Sequence, residues 1–236
     1  MEIFIIILLG VEEIMSYTMV FDMDGTLFQT DKILEISLEE TFHYLRSKGL
    51  WDKQAPVEEY REIMGVPLQV VWETLMPDHS NDIRAKVNVI FLEKLIKNIH
   101  AGKGALYPNV EQVLDYLTLE NYSLFIASNG LPEYLAAIVD YYKLDRWIKE
   151  TFSIQQIESQ NKSDLVRTIV EKYAVEQGAV IGDRLSDIQA AKDNDLLAIG
   201  CNFDFAQQDE LAQADEIIDD LAQLKDLVAV RRRLTT

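Results

Sequence analysis

Thr18-Met19-Val20-Phe21-Asp22-Met23-Asp24-Gly25-Thr26-Leu27 is the stretch on which the fold turns. Four β-favouring, largely apolar residues run straight into an aspartate, a second aspartate and a glycine. A continuous apolar run that stops at a polar loop is the pattern of a strand buried on both faces. In open α/β sheets, sites form beyond the carboxyl ends of such strands. Asp22 stands at that end. Asp24 lies two residues on, so strand periodicity points it to the same side. Gly25 permits a tight turn whose amides can face an anion.

Downstream, the pattern changes character twice. Residues 33–48 carry apolar side chains at helical spacing (Ile33, Ile36, Leu38, Phe42, Leu45). Short helices are expected over 57–64 and 67–75, with Pro67 in the first turn of the second. A long amphipathic helix is expected over 81–99, ending near Gly102 and Gly104. After Tyr107 helices and strands alternate. Helices are expected over 109–119, 132–142, 163–173 and 186–192, and strands over 122–127, 152–154, 179–181, 196–200 and 216–218. Alternating βα units with apolar strands imply an α/β fold: a Rossmann-like, doubly wound parallel sheet with right-handed crossovers. The helical block then divides the chain into a core of residues 15–30 and 105–236 and an inserted α-helical cap domain of residues 31–104. Its expected hinges are residues 29–32 and 102–107.

Bulk properties narrow the function. The 236 residues are 48% hydrophobic and 26% charged, an ordinary globular balance. A formal net charge of −18 repels nucleic acid and anionic membrane, so neither is an expected partner. An anionic substrate then needs local positive charge at its site. The single cysteine, Cys201, excludes an intrachain disulfide and favours a reducing, cytoplasmic setting. The three histidines have no zinc-ligand spacing. Residues 1–14 are an apolar N-terminal extension of uncertain status. Its run over 3–9 is too short to span a bilayer, which takes about 20 residues. It also lacks the basic start and cleavage site of a signal peptide. An extra strand, an interfacial segment, or sequence ahead of a true start at Met15 are the open readings, the last preferred. Arg231-Arg232-Arg233 is expected to be a solvated end.

Four expected strand ends carry polar groups: Asp22 with Asp24, Ser128 with Asn129, the Gln160-Asn161-Lys162 loop, and Asp183 with Asp187. A carboxylate attacks phosphorus when something neutralises the repulsion between two anions, giving an acyl phosphate that water hydrolyses. Asp22 is the candidate nucleophile. Asp24 is the candidate acid for the leaving alkoxide and then base for water, which requires a raised pKa.

Asp-x-Asp-Gly-Thr after an apolar strand resembles the first motif of the haloacid dehalogenase-like hydrolase superfamily. Ser128 after Leu124-Phe125-Ile126-Ala127 resembles its second motif, Lys162 its third, and Gly182-Asp183-Arg184-Leu185-Ser186-Asp187 its fourth. The resemblance runs from Tyr17 onward, and the helical insert matches the family's small cap. Met64-Gly65-Val66-Pro67-Leu68, Tyr107-Pro108-Asn109-Val110, and the run Glu210 to Ile218 are similar to the phosphoglycolate phosphatase and β-phosphoglucomutase branch. Two departures stand out: Asp195 where that branch usually has glycine, and Asn202-Phe203-Asp204-Phe205 in place of a Gly-Tyr-Gly-like loop.

The resemblance implies catalytic roles for Asp22, Asp24, Ser128 and Lys162. It implies phosphate binding by Gly25, Thr26, Ser128, Asn129 and Lys162, and a metal held by Asp22, Asp24, Asp183 and Asp187. Asp22, Asp183, Asp187 and a phosphate dianion bring about five negative charges against one lysine, so a cation, Mg2+, is expected. The implied activity is a magnesium-dependent phosphatase forming a phosphoaspartate on a small phosphorylated metabolite, as monomer or homodimer. A sugar phosphomutase shares all these core residues. A haloacid dehalogenase would need no second aspartate, and a non-catalytic binding module would have lost some of these groups. Tyr60, Arg61 and Gln69 are candidate contacts to the leaving group.

Overall fold

The computed structural model describes residues 17–227 apart from Met64, Gly65, Pro67 and Phe205. The apolar run over 3–9, the start at Met15 and the Arg231–Arg233 tail lie outside the described residues, as do Met64 at the end of the helix expected over 57–64, Pro67 at the start of the one expected over 67–75, and Gly65 between them.

Strand β1 (Thr18–Phe21) is followed by four helices with no intervening strand: α1 (Asp31–Ser47), α2 (Val57–Glu62), α3 (Leu68–Leu75) and α4 (Asn81–His100). The chain then alternates through α5 (Val110–Leu119), β2 (Ser123–Ser128), α6 (Pro132–Tyr142), β3 (Ile148–Ser153), α7 (Lys162–Tyr173), β4 (Gly178–Gly182), α8 (Leu185–Lys192) and β5 (Leu197–Cys201), and ends in α9 (Gln208–Leu211) and β6 (Glu216–Ile218). All pairings are parallel and the sheet order is β3-β2-β1-β4-β5-β6. The Rossmann-like α/β expectation therefore holds. Strand order reverses direction at β1, which has β2 on one flank and β4 on the other, with Thr18 opposite both Ser123 and Gly178. That switch point is where a crevice opens at the strand ends.

Alternation along each strand sends side chains to two packed faces. Met19, Phe21, Leu124, Ile126 and Ile181 face one cluster, which continues into the helical block through Ile33, Leu38, Phe42 and Phe91. Val20, Phe125, Ala127 and Val180 face the other, against Leu165, Val166 and Ile169 of α7 and Ile188 of α8. Both faces are covered, which is why the strands are uninterrupted apolar runs. Phe125 is fully buried, and truncating it to alanine would cost about 3–5 kcal/mol. The helical block has its own packing: α1 lies on α4, and Trp72 meets Phe91 edge-on at 5.3 Å between ring centroids. Ser80 Oγ accepts from the Ile83 amide and starts α4. Among the described residues, no helix is long and apolar enough to cross a membrane.

Two local expectations need correction. β3 is six residues long and begins at Ile148, not at Phe152. It is an edge strand, where charged side chains are tolerated, and Lys149 and Glu150 disguise it. Lys149 thus belongs to the strand and donates to Ser123 Oγ at 2.7 Å. α5 starts one residue late because Asn109 is left-handed (φ +64°) and binds Asp220 through Nδ2. Asp195 is also left-handed (φ +55°), a conformation glycine adopts without strain.

Candidate active site

Each predicted motif arrives at the same end of the sheet. Asp22 follows β1 directly and its amide donates to Ile181 O of β4 at 2.8 Å, so the neighbouring strand fixes its backbone. Lys162 opens α7, whose start is capped by Asn161 Oδ1 accepting from the Ser163 amide at 2.8 Å. From there Lys162 Nζ donates to Asp22 Oδ1 at 2.5 Å and also contacts Asp187 Oδ1. Asp183 follows β4, and Asp187 sits in the first turn of α8, where the helix dipole favours a carboxylate. Asp187 Oδ2 accepts from the Arg184 amide at 3.1 Å, closing the turn between them. All four side chains are buried.

Close approach here depends on two glycines. A Cβ on Gly25 (φ +77°) would lie 2.5 Å from Asp183 Oδ2, and one on Gly182 would lie 2.1 Å from the Asp187 carboxyl carbon. Any larger residue at either position would displace a carboxylate.

Asp22, Asp183 and Asp187 each place one carboxylate oxygen within 4.8 Å of the others. Burial pushes Asp22 up from the ordinary aspartate value to about 7; Lys162 opposes the shift, and Asp187 and Asp24 add to it. Burial likewise raises Asp183 well above its usual range, with Asp22 and Asp187 adding repulsion. Lys162 is pulled down by burial, but Asp187 and Asp22 together outweigh that and hold it charged. Three buried carboxylates against one ammonium leave a surplus of negative charge, and all the donors are hard oxygens. Such a set fits a hard divalent cation such as Mg2+.

Asp24 stands apart from this cluster. The strand ends at Phe21, so two-residue periodicity does not carry past Asp22. Asp24 instead turns its Oδ1 to Tyr134 Oη at 2.5 Å and to Thr30 Oγ1. Its side chain is thus not brought to the group that could hold a metal. Burial raises its pKa, against the opposing effect of those two hydrogen bonds.

The remaining expected phosphate contacts divide. Ser128, at the end of β2, accepts from the Gly130 amide at 3.0 Å. Asn129 lines the cavities on both sides of Asp24 and Lys162. The Gly25 and Thr26 amides donate inward, to Phe28 O and Met23 O, and Thr26 Oγ1 donates to Asp183 Oδ1 at 3.3 Å. These two residues shape the turn and steady Asp183; their amides do not present themselves to an anion. Of the cap candidates, Tyr60 lines the space beside Asp24 and Gln69 lines the larger cavity next to it. Arg61 turns away to Asp31, Glu58 and Glu35. Thr30 and Tyr134 are not singled out by the sequence, and Gly182 enters there only as part of the fourth motif. Gly182 was readable as the residue between an apolar strand and Asp183, but Tyr134 carries no local signal, since its partner lies 110 residues away.

Residues 19–200 match the model of the haloacid dehalogenase-like hydrolases. The pyrophosphatase PpaX of Listeria monocytogenes serotype 4a is 23% identical over 219 residues, covering 91% of this chain and 96% of the relative. A phosphoglycolate phosphatase of Vibrio cholerae is 22% identical over 222 residues, covering 89% and 96%. The crystal structure of a predicted phosphoglycolate phosphatase from Haemophilus somnus superposes with a TM-score of 0.80 at 21% identity, covering 91% of this chain and 98% of the other. The family match spans most of the chain and contains all four strand-end motifs, so this protein belongs to the haloacid dehalogenase-like hydrolases, as a phosphatase of that family.

Proposed function

We propose that this phosphatase is magnesium-dependent and hydrolyses a small phosphate monoester through a phosphoaspartyl intermediate on Asp22. The observation that carries the reading is the pairing of buried Asp22 with Lys162 at 2.5 Å inside a cluster of three carboxylates. Lys162 keeps Asp22 oriented and offsets part of the charge that an arriving phosphate adds. Asp22 attacks phosphorus, the bond from phosphorus to the ester oxygen breaks, and Asp24 gives its proton to that oxygen. Asp24 then takes a proton from water as the water attacks the same phosphorus. Inorganic phosphate leaves and the Asp22 carboxylate is regenerated. Ser128 and Asn129 are suited to hold phosphoryl oxygens from the β2 side. Bound by Asp22, Asp183 and Asp187, Mg2+ would supply Lewis-acid charge against the phosphoryl oxygens.

Residues 31–104 act in this reading as a helical cap over a core of residues 15–30 and 105–236. Support comes from the space beside Asp24, which Leu34, Tyr60 and Phe91 line from the helical block and Leu131 and Tyr134 from the α/β part. The test is phosphate release from a panel of monoesters with Mg2+ and with EDTA. Release that needs the metal supports the reading; release unaffected by EDTA, or none from any ester, refutes it.

A further inference from the structure

Three cavities adjoin at Asn129. One, of about 410 Å3, is lined by Lys162 and Arg184 together with Asp193 and Glu210. A narrow one of about 60 Å3 contains Asp24, Tyr60 and Tyr134. The third, of about 350 Å3, lies between α3 and α4 on one side and the ends of β2 and β3 on the other. It shares Leu68, Asn129 and Leu131 with the cavity of Asp24. These shared walls put the third cavity next to the space beside Asp24.

Its chemistry is mixed and nearly neutral. Gln69, Asn88, Asn129, Gln155 and Gln160 are carboxamides, each able both to donate and to accept. Leu68, Trp72 and Ile154 supply apolar wall. The charged residues are Glu73 and Arg84, one of each sign. Among the described residues lining the two cavities on the Asp24 side, Arg84 is the one cation. Its three guanidinium nitrogens donate to Met76 O, Asn81 Oδ1 and Pro77 O at 3.0, 3.1 and 2.8 Å, which ties it to the start of α4. Three of the Arg84 N–H groups are thus committed within the protein, and Glu73, whose Oε1 accepts from Gln69 Nε2 at 3.2 Å, puts a negative charge on the same lining. Groups that both donate and accept suit hydroxyls.

Resting on the phosphatase reading, we propose that the cavity between α3, α4 and Asn129 selects a leaving group that is uncharged and hydroxyl-rich. The substrate class is then the sugar or polyol monophosphates, and not carboxylated phosphates or pyrophosphate. Pyrophosphatase and phosphoglycolate phosphatase are the names of relatives, so this specificity separates the chain from them. The acceptor-only Glu73 is the residue that most directly disfavours a carboxylate or second phosphate.

The test compares kcat/KM with Mg2+ for glucose 6-phosphate and sorbitol 6-phosphate against 2-phosphoglycolate and pyrophosphate, with p-nitrophenyl phosphate as a generic ester. The expected result is a preference of about tenfold or more for the neutral leaving groups, the scale on which unpaired charge and unmet hydrogen bonds discriminate. Glu73→Lys should move the ratio of anionic to neutral kcat/KM upward by about fivefold. Turnover of p-nitrophenyl phosphate together with equal or better use of 2-phosphoglycolate or pyrophosphate would overturn the substrate class while leaving the phosphatase reading in place. A ratio unmoved by Glu73→Lys would overturn the role of this cavity. Release from no ester at all would remove the phosphatase reading and the inference with it.

Discussion

Tyr134 Oη donates a 2.5 Å hydrogen bond to Asp24 Oδ1, and Thr30 Oγ1 donates to the same oxygen. Two donors on Oδ1 leave Oδ2 as the oxygen that would carry and deliver a proton in the proposed reaction. Tyr134 is buried, and neighbouring Asp24 adds to the effect of burial in holding its hydroxyl well above the usual tyrosine range, so it remains a donor. It also lies on α6, just beyond Ser128 and Asn129, so the helix that follows β2 orients the Asp24 carboxyl.

Replacing this donor should therefore hurt leaving-group protonation selectively. For Tyr134→Phe, kcat/KM on an alkyl phosphate should fall about 10- to 100-fold, a part of the roughly 100- to 10,000-fold that general acid catalysis supplies. On p-nitrophenyl phosphate, whose leaving group departs without a proton, the fall should stay under about threefold. Because kcat/KM reports steps up to the departure of the leaving group, hydrolysis of the phosphoenzyme does not mask the contrast. Equal losses on both esters would show that Tyr134 only supports the fold.

Asp22→Asn removes the proposed nucleophile with little change in shape. Turnover should drop below about a thousandth of wild type, as removal of a covalent catalyst does. Lys162 would keep Asp187 as a partner, so far-UV and near-UV circular dichroism should be unchanged. Normal turnover by a folded Asp22→Asn would eliminate the phosphoaspartyl mechanism.

The raised carboxylates make stability depend on pH in a definite direction. Asp22 holds a proton in the folded state up to about 7, whereas it loses it near 3.8 when exposed. Between those values the folded state binds more protons than the unfolded one, so stability falls as pH rises. Asp183, raised well above its usual range, acts in the same sense. Glu150 and Asp193, whose values are lowered, oppose this slope only near their unfolded values of 4.5 and 3.8, and contribute little above pH 5.5. In EDTA the melting temperature should decline from pH 5.5 to 8. Mg2+ competes with those protons, so the rise in melting temperature it produces should grow across the same range. Asp22→Asn should flatten the decline in EDTA. A melting temperature that rises steadily from pH 5.5 to 8 in EDTA would contradict the assignment.

Much of this fold was legible because its strands are covered on both faces. Val20 and Phe21 on β1, or Val180 and Ile181 on β4, are apolar for packing reasons alone and end at Asp22 and Asp183. β3 was misplaced because an edge strand lacks that constraint, and Lys149 and Glu150 can face outward and bond polar neighbours, Ser123 for the first and Lys172 and Tyr173 for the second. The site split along a similar line. Asp22, Lys162, Asp183 and Asp187 are set by strand ends and helix starts, which sequence patterns mark. The orientation of Asp24 is set by Tyr134 on a distant helix, and the inward amides of Gly25 and Thr26 by the turn that follows. Neither leaves a trace in local periodicity.

Asp195 joins the two levels, because its departure from glycine was visible in sequence and its φ of +55° gives the reason glycine is favoured there. The residue is exposed and its amide donates to Lys192 O at 3.3 Å, ending the turn after α8 just before Leu196 enters the core. Aspartate tolerates the left-handed region better than most residues, yet less well than glycine. Asp195→Ala should therefore destabilise the protein by about 1 kcal/mol, and Asp195→Gly should stabilise it by about 0.5 kcal/mol. In a domain of this size those changes correspond to shifts of about 2–4 °C down and about 1–2 °C up in melting temperature. Turnover should be unaffected in both, since the turn touches none of the site carboxylates. The order glycine, aspartate, alanine in thermal melts is the signature of backbone strain. Alanine melting above aspartate would mean that the side chain, and not the left-handed backbone, governs this position.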